Sequence, residues 1–261
     1  MAKKATYGNE SIKSLRGADR VRKRPAVIFG SDGLEGCEHS IFEIMSNSID
    51  EAREGRGNRI VVTRYLDGSY EVQDFGSGIP VDYNKNEQRE NWELLFCEMY
   101  AGSKYDNAGG AGSYEFSLGL NGLGLCATQY ASEYMDAEIH RDGYCYTLHF
   151  EKGENIGGLH KEPYQKRDTG SRIRWKPDIQ VFTDINIPRD WFVSTMKRQA
   201  IVNEACTLYS RRRPPAASST PPNFVTKRYS GLCGGAGRRH RFYYAPILGV
   251  RAGGPRPCGS Q

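Results

Sequence analysis

Three polar side chains fall on one side of a predicted helix and have the chemistry to activate water and bind a cation. Glu43, Asn47 and Asp50 lie at positions i, i+4 and i+7, so a helix places them on one face. A carboxylate can orient or deprotonate a water, and an amide oxygen can complete a Mg²⁺ shell made otherwise of phosphates and waters. A solvated helix face is the alternative, and we favour it for Glu43 and Asn47 taken alone.

A second candidate segment begins at Asp74, which ends a predicted strand and precedes the turn Gly76-Ser-Gly78-Ile79-Pro80. Its glycines let the backbone approach a flat ring closely. The carboxylate of Asp74 can accept the amino hydrogens of adenine, while Ile79 and Pro80 can pack against the ring face. An ordinary Asx turn closing a strand is the alternative, and it explains this segment better when no other motif is considered.

Two further segments have the composition of phosphate-binding loops. Gly102-Ser103-Lys104 and Gly119-Leu120-Asn121-Gly122-Leu123-Gly124 offer backbone N–H groups at a helix N-terminus and a lysine as counter-charge. The chain contains no Gly-Lys-Ser/Thr and no Gly-x-Gly-x-x-Gly after a strand, which excludes a Walker A loop and a dinucleotide fingerprint. The polar, glycine-rich residues 104–117 are predicted to form a mobile lid over a ligand.

The apolar pattern predicts the elements that hold these segments. A helix begins near Leu34 and ends at Gly55 and Gly57, and strands at Ile60–Leu66 and Tyr70–Asp74 are joined by the hairpin turn Asp67-Gly68. The result is an α+β fold, a two-layer sandwich with helices on one face of a mostly antiparallel sheet. The remaining predicted helices are Trp92–Met99, Leu123–Ala131 and Pro188–Ala205, and the remaining strands are Tyr134–His140, Tyr144–Phe150 and Ser171–Lys176.

Composition narrows the class of protein. The chain has 261 residues and 38% hydrophobic content, enough for one or two globular domains. Seven scattered cysteines without a Cys-x-x-Cys pair predict free thiols and not a zinc site. No apolar run is long enough to span a membrane and the start lacks a signal peptide, so we expect a cytoplasmic protein.

The four segments occur together with other stretches that carry a family resemblance: Val21-Arg-Lys-Arg-Pro25, Asn47-Ser-Ile-Asp-Glu-Ala52, Leu118–Gly124 and Thr169-Gly-Ser171. From about Tyr7 to Ala205 the chain resembles the N-terminal ATPase domain of the DNA gyrase B subunits, which belong to the type II DNA topoisomerases of the GHKL superfamily. The resemblance implies the GHKL (Bergerat) sandwich, with ATP and Mg²⁺ as cofactors.

The same resemblance implies roles for individual residues. Glu43 is then the catalytic general base, Asn47 the Mg²⁺ ligand and Asp74 the adenine acceptor, supported through water by Ser171. Tyr7 lies on an arm, shared with Ile12, that reaches across a homodimer to the partner's nucleotide. The implied nucleotide-binding residues are Tyr7, Asn47, Asp50, Asp74, Gly78, Ile79, Pro80, Gly102, Ser103, Lys104, Gly119, Leu120, Asn121, Gly122, Leu123, Gly124 and Ser171.

The resemblance also implies an assembly and a division of the chain. In the family, ATP closes the dimer as a gate that captures DNA, and hydrolysis resets it; a protein like the gyrase A subunit is the expected partner. We expect a dimerisation arm at residues 1–25, the ATPase domain at 26–206 and a disordered basic tail at 207–261. That tail contains ten Lys or Arg and no Asp or Glu.

The chain departs from the family in two places. Phe75 and Ser77 stand where the family usually has Asn and Arg, and the second position helps to line the pocket. After Cys206 no transducer domain with its phosphate-contacting lysine is recognisable, and the tail resembles translation in a shifted frame. We therefore expect a truncated module in which nucleotide binding is retained better than catalysis.

Two other functions fit parts of the pattern. A clamp or chaperone-like GHKL module would bind ATP without hydrolysing it, although the tyrosine-bearing arm and Val21–Pro25 favour the gyrase type. Alternatively, the basic tail with Phe242-Tyr-Tyr244 could bind nucleic acid by phosphate neutralisation and base stacking. A tail without function explains the same composition, and we prefer that explanation.

Overall fold

A computed structural model describes residues 14–102, 122–203, 207–213 and 227–230, the side chains of 210–213 and 227–230 excepted. The helices are α1 (Asp19–Arg22), α2 (Pro25–Phe29), α3 (Leu34–Arg53), α4 (Asn91–Cys97), α5 (Gly124–Tyr130) and α6 (Arg189–Val202). The strands are β1 (Arg59–Tyr65), β2 (Tyr70–Asp74), β3 (Tyr83–Asn84), β4 (Arg89–Glu90), β5 (Ser132–Arg141), β6 (Tyr144–Glu151), β7 (Glu154–Asn155), β8 (His160–Pro163), β9 (Gly170–Pro177), β10 (Thr207–Arg213) and β11 (Lys227–Ser230).

One large sheet organises the fold. Its strand order is β11-β10-β1-β2-β9-β5-β6-β7, with β8 also paired to β6, while β3 and β4 form a separate hairpin. Every described pairing in the large sheet is antiparallel except the parallel pair of β1 and β10. The predicted mixed, mostly antiparallel sheet is confirmed.

The helices pack on one face of this sheet and enclose the core. Along β5, Met135 and Ile139 are buried, whereas the intervening Asp136 is exposed on the opposite face. The rings of Phe96 on α4 and Phe150 on β6 stack with centroids 5.3 Å apart. The largest fully buried side chains are Trp175, Tyr146, Phe96, Phe150, Phe182 and Phe192.

The long helix α3 is the element that most clearly follows from the sequence. Ile41, Ile44, Met45 and Ile49 recur at helical spacing, and all four are buried because this stripe faces the sheet. The helix ends at Arg53, just before the predicted stop at Gly55. Its opposite face is left for the polar residues of the candidate site.

The structure differs from two predicted boundaries. The predicted arm extends to residue 25, but Val21 within it is fully buried in the core and Arg22 forms an ion pair with Asp178, Nη2 to Oδ2, at 2.5 Å. Likewise, residues 207–213 of the predicted disordered tail form β10 inside the main sheet, and Leu208 is fully buried. In both places an apolar residue packs in the core although its neighbours in sequence are strongly basic.

Within the described ranges, no helix combines the length and the apolar character that a membrane span requires.

Candidate functional site

The candidate site extends along α3, which carries Glu43, Asn47 and Asp50 on successive turns. Glu43 and Asn47 are half-buried and Asp50 is buried. The site therefore covers the length of α3 from Glu43 to Glu51, about 12 Å at 1.5 Å per residue. At one end of the site, α3 contacts α5; at the other end, α3 contacts the end of β2.

At the first end, Glu43 is held by a histidine that the sequence analysis missed. His39 Nε2 lies 2.9 Å from Glu43 Oε1, and His39 Nδ1 lies 3.1 Å from the carbonyl oxygen of Phe29. The hydrogen bond to Glu43 raises the pKa of His39, although burial opposes the shift. His39 precedes Glu43 by four residues, so the helical spacing contained the signal that could have identified it.

Gly124, the first residue of α5, packs against Glu43. A Cβ built on Gly124 would lie 2.1 Å from Glu43 Oε2, so only glycine leaves room for the carboxylate. Leu123 and Gly122 precede it and are half-buried. The backbone N–H of Tyr100 donates to the carbonyl of Gly122 at 3.0 Å, which brings the described ends of the two predicted phosphate segments, Gly102 and Gly122–Gly124, close together.

At the other end, the carboxyl group of Asp74 is buried at the end of β2 and is 8% exposed. Its Oδ1 accepts hydrogen bonds from the backbone N–H groups of Gly76 and Ser171, both at 3.1 Å. Its Oδ2 accepts one from the hydroxyl of Ser48 at 3.0 Å. Burial raises the pKa of Asp74 against these three hydrogen bonds, and the nearby charge of Glu51 raises it further.

Ser171 connects Asp74 to the turn that follows it. While its N–H donates to Asp74, its Oγ accepts from the backbone N–H of Ile79 at 3.0 Å. Gly78 has a φ of +79°, and a Cβ there would lie 2.7 Å from the carbonyl oxygen of His140. Ile79 is half-buried and Pro80 is exposed, so the turn presents an apolar edge beside Asp74.

Three other contacts support this turn and were not identified from the sequence. Arg141 Nη1 donates to the carbonyl of Gly78 at 2.8 Å, and Thr169 Oγ1 donates to the carbonyl of Gly76 at 2.5 Å. Glu51 accepts from the backbone N–H and the hydroxyl of Ser77. All three join residues far apart in sequence, so local spacing could not reveal them.

Several predicted site residues lie outside the described part of the chain: Tyr7, Ser103, Lys104, Gly119, Leu120 and Asn121. Their roles stay predictions. Among the described ones, Glu43 is brought against Gly124, and Asp74 against Ser171 and the turn to Ile79. Asn47 is one residue before Ser48, the hydrogen-bond donor to Asp74, and therefore lies between the two ends of the site.

Among the described residues, the candidate site offers a cation a single uncharged oxygen ligand, and not a cluster of protein side chains. Within these residues, no group of three or more His, Cys, Asp or Glu side chains is arranged to hold a metal ion. The side chain of Asn47 makes no hydrogen bond to another described residue, and its half-buried amide is free to act as a single oxygen ligand. That donor set suits Mg²⁺ whose remaining ligands are phosphates and waters.

Comparison with known proteins gives the following relatives. The chain is 38% identical over 185 residues to the B subunit of DNA gyrase from Thermotoga maritima, an alignment that covers 70% of this chain and 28% of the relative. It is 38% identical over 183 residues to the B subunit of DNA topoisomerase 4 from Staphylococcus aureus, covering 70% and 27% respectively. The chain thus spans little more than a quarter of these relatives, and no family model matches it.

A solved structure has the same fold. The ATP-binding domain of topoisomerase IV from Francisella tularensis, in complex with a small-molecule inhibitor, aligns with a TM-score of 0.63 and 29% identity. The alignment covers 76% of this chain and 91% of that domain. The two-layer GHKL ATPase fold expected from the sequence is thereby confirmed.

Proposed function

Because the chain is related in sequence and fold to the ATP-binding domains of type II topoisomerase B subunits, we propose that it binds Mg·ATP between α3, α5 and the turn after β2. The observation that carries this proposal is the burial of the Asp74 carboxyl group. A buried carboxyl is costly unless it serves a partner, and no described cation pairs with Asp74. The exocyclic amine of adenine would supply a further hydrogen-bond donor.

The base-binding role follows from the hydrogen bonds around Asp74. Gly76, Ser171 and Ser48 fix both oxygens, yet each carboxylate oxygen can accept more than one hydrogen bond. The carboxylate therefore has acceptor capacity left for an amine. Ile79 lies beside it through the bond of its N–H to Ser171 and would cover the flat face of the base.

The hydrolytic role follows from Glu43 and His39. Glu43 would accept the proton of the attacking water, and His39, fixed by the Phe29 carbonyl, would hold the Glu43 carboxylate in position. Bound Mg²⁺ would neutralise phosphate charge, with the amide oxygen of Asn47 as its protein ligand. Asp50, buried on the same helix, would support this face from within.

The assembly expected of the whole relatives is also proposed for this chain. ATP would close a homodimer through the N-terminal arm with Tyr7, and strand passage would require DNA and a partner like the gyrase A subunit. Sedimentation with and without a non-hydrolysable ATP analogue tests the first step. A monomer at saturating analogue would contradict it.

Nucleotide binding is tested by calorimetry with Mg²⁺ and a non-hydrolysable ATP analogue. The wild-type chain should bind, Asp74→Asn should lose binding, and Glu43→Ala should bind but not hydrolyse. Asp190→Asn, in the exposed first turn of α6, is the matched control and should bind normally. Undiminished affinity in Asp74→Asn would overturn the adenine assignment, and unchanged turnover in Glu43→Ala would exclude that residue as the base.

A further inference from the structure

A charged contact joins the loop after α3 to the turn after Asp74. Arg56 donates from Nε to Glu51 Oε2 at 3.0 Å and from Nη2 to Glu51 Oε1 at 2.7 Å. Glu51 Oε2 also accepts from the Ser77 hydroxyl at 2.8 Å and from its backbone N–H at 3.3 Å. We call these three residues the Arg56–Glu51–Ser77 contact. The two parallel hydrogen bonds between Arg56 and Glu51 fix the orientation of the guanidinium and the carboxylate.

This contact lies directly beside the candidate base-binding carboxyl group. Gly76, which precedes Ser77, donates its N–H to Asp74, and a Cβ on Gly76 would be 3.0 Å from Glu51 Oε2. Glu51 therefore packs against the same turn that holds Asp74. Any movement of Glu51 is transmitted to that turn through Ser77.

Glu51 also acts on Asp74 through its charge. Among the described residues, the groups that face the Asp74 carboxyl are Ser48 and Glu51 from α3, the N–H of Gly76 from its own turn, and Ser171 from β9. Among these, Glu51 is the charged one, and a second carboxylate disfavours ionisation of Asp74. Protonation would take up the acceptor position that these hydrogen bonds leave on the carboxylate, so Asp74 has to be ionised to accept from the amine, and the charge of Glu51 has to be compensated.

Arg56 supplies that compensation. Besides its two bonds to Glu51, Arg56 also pairs with Glu54. Burial acts to raise the pKa of Glu51, but the hydrogen bonds from Arg56 and Ser77 outweigh it and lower that pKa. In the sequence, a serine occupies position 77, so the turn itself brings no cation to Glu51. The guanidinium comes instead from the loop that follows α3.

We propose that Arg56 is a positioning residue for the nucleotide base: through Glu51 and Ser77 it fixes the turn after Asp74 and keeps the Asp74 carboxylate ready to accept the exocyclic amine. The inference rests on the proposed function, since it presupposes that Asp74 binds adenine. It assigns a nucleotide-related role to a side chain that would not touch the ligand.

The experiment measures the affinity for the ATP analogue by calorimetry as a function of pH. The variants are Arg56→Gln, Arg56→Lys, Glu51→Gln and the double variant Arg56→Gln with Glu51→Gln. Arg53→Gln is the matched control, because Arg53 is an exposed arginine on the last turn of α3 with no bond from its side chain to another described residue. Thermal unfolding of each variant is recorded in parallel.

We expect Arg56→Gln to weaken binding about threefold or more. We also expect it to raise the acid midpoint, the pH at which binding is half lost on acidification, by about half to one unit. Arg56→Lys keeps the charge but not the bidentate geometry, so its shift should be smaller. Glu51→Gln should shift the acid loss to lower pH. The double variant should lie near the wild type, because both charges are removed while the amide oxygen can still accept from Ser77.

Three outcomes overturn the inference. Equal acid midpoints in the wild type and Arg56→Gln mean that Arg56 does not act on Asp74. A uniform loss of affinity at every pH together with a lower melting temperature means that its role is only structural. A double variant whose acid midpoint stays as high as that of Arg56→Gln means that Arg56 does not act through the charge of Glu51. A wild-type chain that fails to bind at all instead refutes the proposed function itself.

Discussion

Gly124 and Glu43 are in direct contact, and the contact leaves no space for a side chain. A Cβ on Gly124 would lie 2.1 Å from Oε2 and 2.8 Å from Cβ of Glu43. On its other side the same carboxyl group is bonded to His39. The position of the proposed general base is therefore set by a glycine that makes room for it and an imidazole that holds it.

Substitution Gly124→Ala should displace Glu43 and reduce hydrolysis. Alanine favours a helix over glycine by about 1 kcal/mol, whereas the overlap with Glu43 costs about 1–3 kcal/mol. We expect a net loss of stability of up to about 2 kcal/mol in urea unfolding. A displacement of this size at a catalytic group lowers turnover by about tenfold to a hundredfold.

Gly33→Ala is the control for that substitution. Gly33 precedes α3 with a φ of −95°, and its Cβ would meet nothing closer than Ser31 Oγ at 3.4 Å. This variant should retain turnover and stability within about 0.5 kcal/mol. If Gly124→Ala also behaves like the wild type, Glu43 is not confined by α5.

His39→Gln should separate hydrolysis from binding. The variant loses the imidazole bonded to Glu43 at 2.9 Å but leaves the groups around Asp74 in place. We expect analogue affinity within about twofold of the wild type and turnover lower by about tenfold to a hundredfold. A parallel loss of affinity would show that His39 acts on the fold of the site and not on Glu43.

The same histidine predicts a pH dependence of stability. Its pKa is raised above the ordinary 6.5, chiefly by the hydrogen bond to Glu43, so the folded chain binds the proton more tightly than the unfolded chain. The stabilisation is complete below about 6.5 and is lost as the pH rises through the raised value. Melting temperatures across this range should fall more in the wild type than in His39→Gln. Equal slopes would contradict the assignment.

The sequence predicted correctly those elements whose signals lie within a few neighbouring residues. The stripe Ile41–Ile49 and the hairpin at Asp67-Gly68 predicted α3, β1 and β2, because helix and hairpin signals lie within a few residues. Asp74 was identified for the same reason, since it closes a strand before a glycine-rich turn. These segments needed no knowledge of the tertiary fold.

What the sequence did not reveal depends on contacts between distant segments. Ser48 approaches Asp74 from α3, and Arg56 reaches the turn after it through Glu51. Ser171 was expected to support Asp74 through water, whereas its backbone N–H donates to the carboxylate directly. The strand β10 was missed because a basic, proline-flanked segment resembles a disordered tail. Its pairing with β1 becomes visible only when the sheet edge is in place.

Asp74→Asn should remove binding without destabilising the fold at neutral pH. Burial raises the pKa of Asp74 above 3.8, so protonation favours the folded state. That contribution is complete below about 3.8 and is lost as the pH rises through the raised value. The neutral amide of the Asp74→Asn variant avoids this loss, so the melting temperature of the variant at pH 7 should equal or exceed that of the wild type. A clear decrease at pH 7, absent from the Asp190→Asn control, would contradict the account.

Leu208→Ala tests whether β10 is part of the folded domain. Leu208 is fully buried beside the parallel partner β1, and removal of a buried leucine side chain typically costs about 2–5 kcal/mol. The neighbouring element supplies the control: Val202 at the end of α6 is 70% exposed, so Val202→Ala should cost less than about 0.5 kcal/mol. Urea unfolding of the full chain measures both. Because a free tail has no effect on unfolding, equal midpoints for Leu208→Ala and the wild type would return residues 207–213 to the disordered tail that their composition suggests.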